Sequence, residues 1–95
     1  MAGYIIANIH VTDPVRYATY TKTVGASIAQ YGGRFLVRGG KAETLEGTVD
    51  AARVVVLEFP TVERAKAWWN SDEYREPKAI RLSAATADML AVEGV

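Results

Sequence analysis

Arg38, Glu58 and His10 are the side chains of this 95-residue chain best suited to acid–base chemistry. Arginine holds a carboxylate or enolate oxygen, a nearby carboxylate serves as base or acceptor, and an imidazole moves a proton near neutral pH. All three lie in short apolar segments that read as strands. Strict alternation puts Arg38 on the face of Leu36, and Glu58 on the face of Val54 and Val56. The two charges are therefore expected to pair across neighbouring strands, since an ionised group on a covered sheet face is costly unless neutralised. The same pairing suits a purely structural bridge that fixes strand register, so both roles stay open. Asn8 shares the strand and face of His10 and joins this polar group as a candidate ligand contact.

Other chemistries find no support. His10 is the sole histidine and there is no cysteine, so no metal and no cofactor are expected, and thiolate catalysis is excluded. Gly39-Gly40 precedes no helix start and lacks the geometry of a phosphate loop. Glu43, Glu46 and Asp50 are too scattered for a calcium loop. Eleven basic residues balance eleven acidic ones, which argues against a nucleic-acid partner held by phosphate neutralisation. The longest unbroken apolar stretches, 4–7 and 54–57, fall far short of the roughly 20 residues of a membrane span. With no signal-peptide pattern at its start, the chain is expected to be a cytoplasmic domain spanning residues 1–95.

The elements that must position these residues follow from periodicity and punctuation. Residues 4–11 alternate as a strand. Thr12-Asp13-Pro14 is a helix start, with proline at the first helical position. The helix is expected to run to about Gln30, with Tyr17, Tyr20, Thr21, Val24, Ile28 and Tyr31 forming a mostly apolar stripe, and to stop at Gly32-Gly33. Residues 34–38 form a second strand, 41–52 a polar hairpin region with Gly47 at its turn, and 53–59 a third strand ended by Pro60. Thr61 caps a second helix carrying Trp68 and Trp69. Asn70-Ser71-Asp72 interrupts it, Ser71 caps a new turn, and Pro77 is expected to split the remainder. Residues 88–93 form the last strand.

This order, β-α-β-β-α-β, predicts an α+β ferredoxin-like fold: a four-stranded antiparallel sheet with its helices on one face. The other face carries Ile6, Leu36, Val54, Val56, Leu90 and Val92, too apolar to be left in water. The expected cover is a second copy of the same sheet, giving a homodimer through sheet faces.

Several segments together resemble the DUF1330 family. They are Thr12-Asp13-Pro14 with Tyr17 and Tyr20, Gly32-Gly33-Arg34-Phe35-Leu36-Val37-Arg38-Gly39-Gly40, and Glu46-Gly47. Val55-Val56-Leu57-Glu58-Phe59-Pro60, Trp68-Trp69-Asn70-Ser71-Asp72-Glu73-Tyr74, Arg81 and Val92-Glu93-Gly94-Val95 complete the set. The resemblance covers nearly the whole chain. It implies a bacterial protein of the dimeric α+β barrel superfamily, whose members include cofactor-free monooxygenases, haem-degrading enzymes, isomerases and ligand sensors. Cofactor-free monooxygenases of that superfamily use a strand Asn, a helix Trp and a nearby Tyr, which maps onto Asn8, Trp68 or Trp69, and Tyr74. Haem degraders add a helix histidine, and this chain has none after residue 10. Aromatic packing explains Trp68, Trp69 and Tyr74 equally well. Tyr17 and Tyr20 suit a core or a pocket wall. Arg81, three residues after Lys78, suits a solvated cation, while its place in the motif adds it to the ligand contacts.

The reading that results is a homodimeric domain that binds or transforms a small organic ligand, anionic where it meets the arginine, in an apolar pocket with an Arg/Glu centre. Two alternatives stand beside it. One is a cofactor-independent monooxygenase or isomerase acting on an aromatic or lactone-like substrate. The other is a non-catalytic structural or stress-related interaction module. Sequence alone leaves open whether there is a reaction at all.

Overall fold

A computed structural model describes all of residues 1–95. Its elements are β1 (Gly3–Val11), α1 (Pro14–Gln30), β2 (Arg34–Gly40), β3 (Arg53–Phe59), α2 (Val62–Trp69), α3 (Asp72–Ala84) and β4 (Ala85–Glu93). The sheet order is β2-β3-β1-β4, and every neighbouring pair is antiparallel. This is the ferredoxin-like arrangement expected, with the second helical segment broken in two.

Local chemistry accounts for the helix boundaries. Asp13 caps α1, its carboxylate accepting from the Arg16 N–H at 3.1 Å, and Pro14 follows at the first helical position. Thr61 accepts from the Arg64 N–H to open α2. The break falls at Asn70-Ser71: Ser71 Oγ donates to the Trp68 carbonyl at 2.7 Å and accepts from the Tyr74 N–H at 3.1 Å. One hydroxyl thus ends α2 and starts α3. The expected split at Pro77 does not occur. Pro77 lies in the second turn of α3 and is buried, and the N–H it lacks in this capped helix is outweighed by the burial of its ring.

The core lies between the helices and one face of the sheet. Ile5, Ala7, Ile9, Val55, Leu57 and Phe59 supply the sheet side, and Trp68 and Tyr74 are fully buried from the helix side. The Trp68 and Tyr74 rings lie 4.0 Å apart by centroid. Trp68 Nε1 donates to Ser27 Oγ at 3.0 Å, and that hydroxyl donates on to the Val24 carbonyl at 2.7 Å. This buried polar chain therefore ends on an acceptor, as burial demands.

β4 begins at Ala85, three residues before the expected start. Ala85 and Ala87 are poor strand formers on their own, and Thr86 between them is the single β-branched residue of the three. They are drawn into the sheet by pairing with Val11, His10 and Ile9 of β1. No loop separates α3 from β4, and the Ala84 carbonyl at the joint accepts from the N–H groups of Thr12 and Asp13.

The opposite face of the sheet is bare. Ile6, Leu36, Val37, Leu90 and Val92 are all exposed there, with Val54 and Val56 between them. Residues 41–52 form no strand. Asn8 ties the end of this segment down: its amide donates to the Asp50 carbonyl at 2.9 Å, and its carbonyl oxygen accepts from the Ala52 N–H at 3.1 Å.

Candidate functional site

β2 departs from strict alternation, and that decides where the polar side chains go. Phe35 pairs with Leu57, but Val37 pairs with Val56, so Leu36 and Val37 together oppose one residue. This bulge turns the rest of the strand over. Arg38 now pairs with Val55, a core position, and lies on the helix face. A second irregularity follows at Gly39, whose φ of +72° glycine adopts without penalty. A Cβ at Gly39 would run into the Arg53 guanidinium.

The expected Arg38–Glu58 pair is therefore not formed. Glu58 stays on the open face, where Arg34 reaches it at 2.8 Å and the Tyr4 hydroxyl at 3.3 Å. His10 is on that face too, at the other end of the sheet. Its Nε2 stands 3.4 Å from the Asp50 carboxylate without completing a hydrogen bond. Arg38, Glu58 and His10 thus do not converge, and Asn8 has both ends of its amide occupied by the 41–52 segment.

What does converge is a cleft between α1 and the sheet. At its mouth stand Arg38 and Arg53, with Tyr17 and Thr21 of α1. Arg38 donates to the Thr21 carbonyl at 3.2 Å and lies 4.4 Å from the centre of the Phe35 ring. Arg53 lies over Tyr17 at 5.5 Å, and its Nε is sealed from solvent with no partner. Neither guanidinium has a carboxylate within ion-pair distance. Outside them is a shallow depression of about 550 Å³, and inside is a narrow, largely apolar cavity of about 30 Å³, room for a water-sized group. Tyr20 is part of the inner wall.

Behind that wall is a second polar chain. The Tyr20 and Tyr74 hydroxyls are 3.0 Å apart, and Arg81 Nε donates to the Tyr74 hydroxyl at 3.2 Å. Burial, reinforced by Tyr74, pushes the Tyr20 phenol well above its ordinary pKa, so it is a neutral donor at all physiological pH. Arg81 is not the solvated cation its spacing suggested. It is 2% exposed, has no carboxylate partner, and lies 5.6 Å from the Trp69 ring centre. Trp69 is also covered by Lys78, whose Nζ lies 4.3 Å from its ring and donates to its carbonyl.

Of the residues singled out from sequence, the structure brings Tyr17 and Arg38 together at the cleft. Tyr74 and Arg81 are linked to it through Tyr20. Arg53 was missed, although its signal was legible: it shares alternation with Val55, Leu57 and Phe59, which are core residues.

The chain belongs to the DUF1330 family, a domain of unknown function, whose model matches residues 2–95. No curated protein matches it in sequence. Among solved structures it is similar to a protein of unknown function from Rhodopseudomonas palustris. That match has 19% identity and a TM-score of 0.77, and covers 99% of this chain and 82% of the other. It is also similar to SnoaB, a cofactor-independent oxygenase from Streptomyces nogalater. There the identity is 11% and the TM-score 0.66, over 99% of this chain and 93% of the other. A dimeric ferredoxin-like protein of unknown function from Jannaschia matches at 8% identity and a TM-score of 0.66, over 99% of this chain and all of the other. At these identities the likeness concerns the fold.

Proposed function

We propose that this chain is a small-molecule-binding domain whose ligand sits between α1 and the sheet, with an anionic group at Arg38 and Arg53. The observation that carries this reading is a pair of guanidiniums without carboxylate partners at the rim of an apolar cleft, one with a sealed, unpartnered Nε. A carboxylate supplies the negative charge that both groups lack and further acceptor atoms for their N–H groups. The test is thermal stabilisation by a panel of aliphatic and aromatic carboxylates, in the wild type and in Arg38→Ala and Arg53→Ala. Stabilisation by at least one acid, reduced in both variants, is expected. No stabilisation by any acid, or an effect indifferent to both arginines, refutes the reading.

The assembly proposed is a homodimer closed through the bare sheet face. The exposed Ile6, Leu36, Val37, Leu90 and Val92 support it, as does the dimeric Jannaschia protein of the same fold. Sedimentation at micromolar concentration distinguishes a dimer from a 10.3 kDa monomer.

A cofactor-independent oxygenase or isomerase is the second reading. SnoaB shares the fold, and the aromatic wall of Tyr17, Tyr20 and Trp68 suits an aromatic substrate. Against it, Asn8 is on the opposite face of the sheet, tied to residues 50 and 52. Oxygen uptake with a range of phenolic substrates decides it. The water-sized inner cavity favours the third reading, a non-catalytic interaction module, and that reading gains if the carboxylate panel fails.

A further inference from the structure

Two buried polar chains run between α1 and the later helices, and only one of them is complete. The Trp68–Ser27–Val24 chain has two donors, the indole N–H and the serine hydroxyl, and both have acceptors. The donors that meet in the Tyr20–Tyr74–Arg81 chain are two phenol protons and, of the five guanidinium N–H groups of Arg81, the Nε–H. The chain makes two hydrogen bonds, Arg81 to Tyr74 and one between the phenols. One phenol proton is therefore left without a protein acceptor. Tyr74 already accepts from a cation, which polarises its own O–H to donate onward to Tyr20. The spare proton then belongs to Tyr20, the member of the chain that lines the inner cavity. A buried donor without a partner is costly, so the place calls for an oxygen.

Arg81 says what kind of oxygen. It is 2% exposed and no carboxylate neutralises it. A desolvated cation two hydrogen bonds behind the Tyr20 phenol, through Tyr74, favours negative charge in front of it. The inner cavity shares Tyr17, Thr21, Arg38 and Arg53 with the outer depression, so the two adjoin across these side chains.

We infer that Tyr20, backed by Tyr74 and Arg81, is the inner half of the ligand site and takes a carbonyl or enolate oxygen, which makes the ligand an oxo acid with its carboxylate at Arg38 and Arg53. The carboxylate end rests on the reading proposed above. The oxygen acceptor at Tyr20 stands on the proton count alone.

Calorimetric titration of the full chain tests it. The probes are pyruvate, 4-oxopentanoate and 5-oxohexanoate, each beside its parent acid: propanoate, pentanoate and hexanoate. At least one oxo acid is expected to bind about fivefold or more tightly than its parent, the worth of one hydrogen bond, with the preference falling to within about twofold in Tyr20→Phe. An undiminished preference in Tyr20→Phe, or none in the wild type, overturns the inference. Arg38→Ala and Arg53→Ala weaken oxo acid and parent alike, so a missing effect there counts against the mouth and not against Tyr20. A crystal structure of the unliganded chain reads the same question without any ligand. A water within hydrogen-bond distance of the Tyr20 hydroxyl supports the inference; a water on Tyr74 alone, or two phenols whose only polar neighbours are each other and Arg81, overturns it.

Discussion

Arg34 and Glu58 lock β2 to β3 from the bare side of the sheet: the Nε and Nη2 of Arg34 both reach one carboxylate oxygen at 2.8 Å. They are directly paired in the ladder. Arg38, four residues along the same strand, emerges on the opposite side, where it faces α1. One strand thus contributes one cation to the outer face and another to the cleft.

That separation predicts a pattern of couplings. In a double-mutant cycle, Arg34→Ala and Glu58→Ala should couple by about 0.2–1 kcal/mol, the range of exposed ion pairs. Arg38→Ala and Glu58→Ala should add to within about 0.5 kcal/mol, because the two share no partner. Urea unfolding of the single and double variants measures both.

Ser27→Ala removes the relay between Trp68 and Val24. The indole N–H is left buried without an acceptor, and the expected loss is about 1–3 kcal/mol. The effect should appear as a lower urea midpoint with an unchanged slope.

Tyr31 and Glu73 join the end of α1 to the start of α3 through a 2.7 Å hydrogen bond. That bond from Tyr31 holds the Glu73 carboxyl below its ordinary range and, from the other side, raises the Tyr31 phenol. A lowered carboxyl contributes stability above its unfolded pKa and loses it as pH falls through the folded value. A raised phenol contributes below about pH 10 and loses it above. Tyr31→Phe should therefore be slightly less stable than the wild type at neutral pH, with the gap closing in acid. Melting curves from pH 2 to 8 follow it, and a gap that widens in acid contradicts the assignment.

Tyr20 makes a prediction at the alkaline end. Its pKa is raised by burial, so its contribution is full below the ordinary phenol value near 10 and is lost above it. Spectrophotometric titration of the five tyrosines should show at least one that ionises only as the chain unfolds. Tyr20→Phe should remove one such late group.

The elements were largely legible because their signals are local. Asp13-Pro14, Thr61 and Ser71 announce helix starts, and the alternation of Ile5, Ala7 and Ile9 marks a core strand. The site was less legible because it depends on one bulge. Strict alternation along residues 34–38 put Arg38 beside Glu58, and nothing in Leu36-Val37 signals that two residues oppose one. The bulge is a matter of how β2 meets Val56, a relation between strands distant in sequence. Arg81 shows the same limit. Its burial comes from Trp69 and Tyr74 closing around it, and the spacing to Lys78 reports only the helix surface.

The direct passage from α3 to β4 leaves no slack in the chain. Ala84 ends the helix and Ala85 begins the strand, and both are buried. Inserting a single residue there would invert β4, turning Ala87 and Met89 toward water and Leu90 toward the helices. Length at this splice is as strictly specified as the identity of any side chain in the molecule.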